Sequence, residues 1–485
     1  MGTKHALIIA VLLLANLVGA SRCPGAERSG TPTEWKVGYW LWSGWDPPKR
    51  KESEEAVDLL YVHVGTFWSP AADLGGYSAR RVYPWGMLSG QGSKQSAEDS
   101  EAVRLVDDTR WPAQLPDAEA YIAVWRNTSA LTPGTALVPA LLVKYRELKR
   151  QATQAGRRLV GLQIDHDCPT DSLSEYARFL QELRAAMPPE DLLSITALLD
   201  WFRSGTRIAD VLQWVNEYVP QFYDVDPPWT GGDPIPIAKA IDSSRWAAIF
   251  NSYGRSYRVG IAIFGRIVRA TPQPSHQWER AYFRDLSPLN LAGRRDLNLI
   301  AELHNEAGET VVRYKTQSEI NLGDYPLAPG TIIEMILPTQ DSVRSAYLAA
   351  KALGGLAAGV VFFRWPAGDY ETLVLTPNEV QDIISGKRLA ARPPQLEVED
   401  GHCAVVGCTN VYVRLGDRFP TQPVTLWLHT SSELEYILPA EHLRATVQGP
   451  HTAEIGIPSY AGVPRLYVGR VVTRERAQFT LGSEP

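Results

Sequence analysis

The segment RLVGLQIDHDCPT, residues 158–170, joins a short, mostly apolar run to a pair of aspartates. The run has the length of a buried strand, and residues 171–186 follow it with apolar side chains at helical spacing. We therefore predict a strand–helix unit here. Because strand side chains alternate between two faces, Gln163, Asp165 and Asp167 should share one face of the strand.

Outward from this segment, short apolar runs alternate with amphipathic stretches along most of the chain. Eight predicted strands, mostly followed by helices, are typical of an α/β fold of the parallel (β/α)8 TIM-type barrel. The alternative is an open doubly wound sheet, which loses its main support because no G-x-G-x-x-G follows the first strand. The eight predicted strands are 36–42, 59–68, 119–126, 158–167, 192–199, 218–225, 258–265 and 358–365.

Changes in composition and in the spacing of apolar residues divide the chain further. The barrel is predicted over 35–390, and 267–335, near strand 7, is predicted to be an insertion that contains a hairpin. Residues 396–485 carry short alternating runs with almost no helical period, which predicts a small all-β sandwich. Residues 21–34 are polar and rich in Gly, Pro and Ser, as expected of a linker.

Residues 1–20 have the composition of a secretory signal. Lys4 and His5 precede an uncharged, mostly apolar run over 6–20 that ends in small residues. A membrane anchor is the alternative, but this run rises only about 22 Å as a helix, less than a bilayer core of roughly 30 Å. We therefore expect signal cleavage, no membrane span afterwards, and a secreted or periplasmic protein.

Charge and cysteine content narrow the possible partners. The net charge of −6 argues against a nucleic-acid partner, because nucleic acids are bound by clustered Lys and Arg. Of the four cysteines, Cys403 and Cys408 are close enough in sequence to bridge a tight turn, so we expect a disulfide in an oxidising compartment. No cofactor is expected, and the oligomeric state is left open.

Asp165 and Asp167 are the strongest candidates for catalysis. They lie at the C-terminal end of a predicted barrel strand, where barrel enzymes place their active sites. Two neighbouring carboxylates should raise the pKa of one of them, which provides a protonated acid beside an ionised partner. A structural alternative, capping of the next helix, suits Asp167 but not Asp165, because a buried mid-strand carboxylate needs a partner. A metal site is less favoured, since His166 should point away from both aspartates.

Aromatic residues add a candidate binding surface. Tyr223 and Asp224 end a later predicted strand, where the tyrosine hydroxyl could hydrogen-bond a developing charge or the ring could simply pack in the core. One tryptophan alone is more commonly a core residue, but several at one end of a barrel suit the apolar faces of sugars. Eight of the 15 tryptophans fall at or just after predicted strand ends: Trp40, Trp42, Trp45, Trp68, Trp125, Trp201, Trp229 and Trp365.

The strand around Asp165 resembles the signature of the chitinase-like family 18 glycoside hydrolases, D-G-x-D-x-D-x-E. Val160, Gly161, Gln163, Asp165 and Asp167 occupy the matching positions. Val160 and Gln163 have lost the signature's charge, and Asp167 stands where the signature has its acidic Glu. The shorter side chain withdraws the carboxyl group by about 1 Å, and an offset of that size can cost about a hundredfold in rate.

Other segments extend the resemblance. Tyr223-Asp224 is similar to that family's Met-x-Tyr-Asp strand end, Trp365 falls where its last barrel strand carries a sugar-stacking Trp, and 267–335 lies where many members carry an extra small domain. The phrases LQIDHDCPT, LSITALLDW and VPQFYD are similar to a bacterial family of exported proteins, domain of unknown function 3142, over roughly 35–390. That family implies the barrel and supplies no activity.

The resemblance to family 18 implies a role for each candidate and leaves three functions open. Asp167 would protonate the glycosidic oxygen, Asp165 would orient the substrate's acetamido group and Tyr223 would hydrogen-bond the same group, so that the substrate assists its own hydrolysis. The ligand would be an oligo- or polysaccharide. The alternatives are a glycan-binding barrel without catalysis and an envelope structural or assembly protein. Substrate binding is assigned to Gln163, Asp224, Trp365, Trp40 and Trp42.

Overall fold

The structure, a computed structural model, describes most of the chain between Glu34 and Gly482. The predicted signal at 1–20 and the predicted linker up to residue 33 lie outside the described residues, as do Trp45, Asp224 and Trp229. No helix in the described ranges is long and apolar enough to cross a membrane. The described residues are 34–42, 57–68, 104–105, 109, 111–112, 115–127, 131, 137–223, 241–270, 278–280, 291, 294–322, 325–366, 375–388, 394–414, 423–440, 443–458 and 465–482.

Eight parallel strands form a closed barrel, which confirms the predicted fold. In chain order the strands up to residue 363 are β1 (Lys36–Leu41), β2 (Val57–Trp68), β3 (Arg104–Leu105), β4 (Ala118–Asn127), β5 (Leu159–His166), β6 (Leu192–Leu198), β7 (Glu217–Gln221), β8 (Ser256–Ala262), β9 (Arg266–Ala270), β10 (Trp278–Arg280), β11 (Leu297–His304), β12 (Thr310–Thr316), β13 (Ile320–Leu322), β14 (Tyr325–Leu327), β15 (Ile332–Leu337) and β16 (Ala357–Phe363). The order β1-β16-β8-β7-β6-β5-β4-β2 closes because β1 pairs in parallel with both β16 and β2. The short β3 pairs antiparallel with β2.

Helices pack against the barrel because each longer one has an apolar stripe. They are α1 (Leu137–Gln154), α2 (Leu173–Ala186), α3 (Ile208–Leu212), α4 (Ser243–Asn251), α5 (Gln340–Ala352) and α6 (Pro377–Ser385). Helix side chains and one face of the strands share a large outer core. The other face of the strands fills the barrel with a smaller inner core, which contains Trp40, Leu59, Tyr61, Ala120, Ile122, Val124, Val219, Tyr223, Ala262 and Val361.

Gly161 sets the spacing of two strands beneath the candidate site. It pairs with Leu192 of β6, and a Cβ atom at position 161 would overlap the Leu192 carbonyl oxygen. Glycine therefore allows β5 and β6 to approach in this register, where a side chain would force them apart. The same register brings Gln163 opposite Ser194.

An antiparallel sheet is inserted between β8 and α5. Its strand order is β10-β9-β15-β12-β11, and β13 and β14 form a separate two-stranded pair. Arg266 opens the insertion just beyond the C-terminal end of β8, and its Nη2 atom donates to both carboxylate oxygens of Glu309 at 2.6 and 2.7 Å. This buried ion pair ties the start of β9 to the turn between β11 and β12.

The C-terminal part consists of strands alone among its described residues, which confirms its all-β class. The strands are β17 (Gln395–Asp400), β18 (Cys408–Arg414), β19 (Val424–Thr430), β20 (Leu434–Pro439), β21 (Arg444–Gly449), β22 (Thr452–Ile457), β23 (Arg465–Thr473) and β24 (Phe479–Gly482). They form two four-stranded antiparallel sheets, β17-β18-β23-β20 and β21-β22-β19-β24. A disulfide joins Cys403 to Cys408, the first residue of β18, with Cα atoms 5.9 Å apart. Cys168 is a free, buried cysteine.

Candidate active site

The floor of the site is a directional chain of hydrogen bonds inside the barrel. Trp40 Nε1 donates to Gln163 Oε1 at 2.7 Å, and Gln163 Nε2 donates to Ser194 Oγ at 3.0 Å. Ser194 Oγ then donates to Glu217 Oε1 at 3.2 Å. All four side chains are buried away from water, and these hydrogen bonds supply the partners that buried polar groups need.

A buried ion pair ends this chain. Glu217 pairs with Arg258, whose side chain is 11% exposed, and the glutamate also accepts a hydrogen bond from the Tyr61 hydroxyl at 2.7 Å. A carboxylate at this depth would be costly if it stood alone, and Arg258 compensates its charge. The floor of the barrel is therefore polar and internally paired.

Asp165 lies above this floor, two residues further along β5. Thr196 Oγ1 donates to Asp165 Oδ1 at 2.8 Å, and Arg126 Nε lies 3.9 Å from Asp165 Oδ2. Burial raises the pKa of Asp165, whereas the Arg126 charge and the Thr196 hydrogen bond lower it. Desolvation is thus the main cause of the raised pKa, in place of the second carboxylate that the sequence predicted.

Asp167 follows directly after the last residue of β5 and is exposed. The residue between the two aspartates, His166, faces the outer core, as strand alternation predicts. Its Nδ1 atom lies 3.1 Å from Asn127 Nδ2, and its ring meets the Tyr176 ring edge-on at 5.0 Å. Burial lowers the pKa of His166 to about 4, so the ring is neutral near neutral pH.

Tyr223 belongs to an aromatic group inside the barrel. Its ring stacks on Phe363 with centroids 5.2 Å apart, and it meets Trp40 edge-on at 6.1 Å. Gly260 makes room for both rings, since a Cβ there would lie 3.2 Å from Tyr223 Cε1 and 3.3 Å from Trp40 Cη2. Tyr223 is consequently held at the end of β7 with its ring fixed by packing.

Trp42 continues the aromatic group towards the mouth, beyond the end of β1. It stacks on His63 with centroids 4.6 Å apart and meets Phe363 edge-on at 5.7 Å. Burial and the nearby Arg126 charge lower the pKa of His63 to about 4. Trp42 is half-buried, whereas Trp40, Trp125, Trp201 and Trp365 are buried, so among the predicted tryptophans whose side chains are described it is the one that can contact a ligand here.

Three of the predicted binding residues lie elsewhere than expected. Trp365 is buried and meets Tyr39 edge-on at 5.5 Å in the outer core, so it does not face Tyr223. Phe363 takes that place, because β16 ends there and strand alternation cannot be continued to residue 365. Gln163 faces the interior, yet it is fully buried in the floor, and Trp40 is buried with it. Neither side chain is open to a ligand.

Comparison with known proteins confirms the family resemblance. The family model for domain of unknown function 3142 matches residues 134–305, which include β5 to β8. No curated protein was found to match the sequence.

Several solved structures are similar to the chain at low identity. The C-terminal domain of a putative chitinase from Desulfitobacterium hafniense DCB-2 has 11% identity and a TM-score of 0.43, with 73% of this chain and 98% of that chain covered. The spore cortex-lytic enzyme SleL of Bacillus cereus has 13% identity and a TM-score of 0.40, covering 74% and 76%. A GH18 chitinase from Cycas revoluta in complex with (GlcNAc)4 has 14% identity and a TM-score of 0.39, covering 72% and 97%.

Proposed function

We propose that the chain is an exported glycoside hydrolase that acts on an oligo- or polysaccharide at the mouth of the barrel. The observation that carries the proposal is the different setting of two carboxyl groups at the end of β5. Asp165 is buried with a raised pKa, and Asp167, two residues on, is exposed. The raised pKa lets Asp165 retain a proton, and a glycan that excludes water from the exposed Asp167 would raise the pKa of Asp167 as well. The two carboxyl groups could then share a proton that Asp167 gives to the substrate.

Each neighbouring group has a part in the proposed reaction. Asp167, protonated once the glycan has excluded water, donates its proton to the glycosidic oxygen as the bond between that oxygen and the anomeric carbon breaks. Asp165 orients an acetamido or similar group of the substrate, which forms the new bond to the anomeric carbon, and water then opens this intermediate and returns a proton to Asp167. Thr196 and Arg126 hold the Asp165 carboxyl group in place through the contacts at 2.8 and 3.9 Å. The half-buried ring of Trp42 offers a surface on which a sugar can stack.

The test is hydrolysis of chitotetraose and a panel of other oligosaccharides by the purified full chain, measured as new reducing ends. We expect Asp167→Asn to abolish turnover while leaving binding nearly intact, because the amide fills the same space but has no proton to give. Asp171→Asn is the matched control, since it removes an exposed negative charge four residues away and should leave turnover unchanged. Undiminished turnover in Asp167→Asn would exclude this mechanism.

Asp167→Glu tests the same assignment by a gain of activity. The longer side chain moves the carboxyl group outward by about 1 Å, to the reach of the signature's Glu. If that offset limits the rate, turnover should rise by about a hundredfold. A glutamate variant no faster than the parent would show that the carboxyl group is already at its working position or that it is not the acid.

A glycan-binding barrel without catalysis is the second candidate. The observation in its favour concerns Gln163, which stands in a charged position of the signature. Its side-chain amide is hydrogen-bonded to Trp40 and Ser194 in the floor, so it is not available to a substrate. This candidate predicts no turnover in the parent chain. Its affinity for glycans, measured by calorimetry, should fall in Trp42→Ala and stay unchanged in Asp167→Asn.

A further inference from the structure

Two exposed tyrosines lie on the outer face of the sheet β17-β18-β23-β20. Tyr436 of β20 is 50% exposed and Tyr467 of β23 is 36% exposed, with Leu438 also exposed near them. The opposite face of this sheet is the packed one, since Val411 and Val471 are fully buried. We call the outer surface around Tyr436 and Tyr467 the tyrosine face.

The tyrosine face is held rigid by stacked side chains. Tyr467 packs beside Tyr412 with ring centroids 5.2 Å apart, and the Arg465 guanidinium carbon lies 3.7 Å above the Tyr412 ring. Glu397 and Glu399 fix Arg465 in that position, at 2.7 and 2.5 Å. Side chains ordered before a ligand arrives reduce the entropy that binding would otherwise cost.

Charges at one end of this face are paired. Glu397 bonds Arg414 as well as Arg465, so that two carboxylates stand against two guanidinium groups. Arg470, half-buried, uses its Nε atom to donate to Asn410 Oδ1 at 3.3 Å. The face therefore combines exposed aromatic rings and hydrogen-bonding groups with little net charge, which fits neither a polyanion nor a strongly basic segment.

We propose that the tyrosine face is a second carbohydrate-binding site, which takes a neutral polysaccharide chain. Sugar rings would lie on Tyr467 and Tyr436, and their hydroxyl groups would bond Asn410 and Arg470 between the two rings. The proposal rests on the proposed function in one respect, that the barrel acts on the same polymer. Tethering to that polymer would keep the barrel mouth at a high effective concentration of substrate.

The test is affinity gel electrophoresis of the full chain in hydroxyethylcellulose, xylan or glycol chitin, with polygalacturonate as the charged comparison. We expect at least one neutral polymer to retard the protein. Tyr467→Ala and Tyr436→Ala should each weaken that binding by about fivefold or more, as loss of one stacking ring does elsewhere. Tyr467→Phe keeps the ring and should bind within about twofold of the parent.

Trp427→Ala is the control, because it removes a partly exposed aromatic ring from the outer face of the other sheet and should leave binding unchanged. Circular dichroism and thermal unfolding check that each variant is folded. Retardation that survives both tyrosine-to-alanine variants, retardation only by polygalacturonate, or none by any neutral polymer would overturn the proposal. Hydrolysis of chitotetraose by the tyrosine variants is read separately, so failure of the barrel's activity and failure of this site are distinguishable.

Discussion

Replacing Glu217 by Gln tests the buried charge pair on which the barrel floor depends. The variant keeps the side-chain volume and an oxygen that Tyr61 and Ser194 can still use. It leaves Arg258 without its carboxylate, and with a side chain only 11% exposed that charge cannot return to water. Arg258 Nε already has no hydrogen-bond partner among the described residues. Removal of one partner from a buried pair costs about 3–5 kcal/mol of unfolding free energy.

Urea unfolding followed by tryptophan fluorescence measures this cost. Of the 15 tryptophans only Trp427 lies beyond residue 365, so the signal reports mainly on the barrel. With a denaturant slope of about 3 kcal/mol per M, the midpoint should fall by about 1–1.7 M. Glu147→Gln is the control, because it breaks an exposed pair with Arg150 and should leave the urea midpoint unchanged.

A double variant separates loss of the pair from loss of packing. Glu217→Gln with Arg258→Met removes both charges, and it should recover most of the lost stability because no buried charge is left unpaired. A loss below about 1 kcal/mol in Glu217→Gln, or a double variant less stable than the single one, would refute the view that Arg258 depends on Glu217.

Three further variants test the site. Gly161→Ala should lower stability by at least about 2 kcal/mol in urea unfolding, because the new Cβ overlaps the backbone of β6. Burial raises the pKa of Asp165 above its value in the unfolded chain, so ionisation of this residue lowers the stability of the fold as the pH rises through the raised pKa. Thr196→Val removes a hydrogen bond that opposes this rise in pKa. The unfolding free energy of the Thr196→Val variant should therefore fall more steeply from acid to neutral pH than that of the parent. Phe363→Ala should weaken glycan binding by about fivefold or more in calorimetry, whereas Trp365→Ala should leave affinity unchanged and cost about 3–5 kcal/mol in unfolding.

The barrel could be predicted from sequence because its strands are short apolar runs separated by helices. All eight predicted strands overlap an observed barrel strand. The largest difference is at β7, which was predicted to reach residue 225 and ends at Gln221. Phe222 still donates its N–H to the Gly260 carbonyl at 3.1 Å, but the strand pattern stops there. Periodicity alone does not indicate where such a pattern breaks.

Strand alternation predicted which way side chains face and could not predict their depth. It placed Gln163 and Asp165 inside the barrel, but only the strand register shows that Gln163 lies in the closed floor. Trp365 was assigned from its resemblance to the sugar-stacking Trp of family 18, but it lies two residues beyond the end of β16 and packs in the outer core. The pairing of Glu217 with Arg258 joins two different strands, so nothing in the local sequence of either residue indicates it.

The buried carboxylate of this barrel floor, Glu217, lies on β7, whereas the family 18 signature carries its acidic residues on the strand that corresponds to β5. Acidic positions of the signature are Val160 and Gln163 here, whereas Glu217 on β7 supplies a carboxylate in the layer of Gln163 and Ser194. Because Arg258 compensates Glu217, this layer places no uncompensated negative charge beneath Asp165. The raised pKa of Asp165 then depends on desolvation that the fold already provides, whereas the exposed Asp167 would lose water only when a glycan fills the mouth. In this barrel the bound ligand itself would raise the pKa of Asp167 and help to keep the proposed acid protonated.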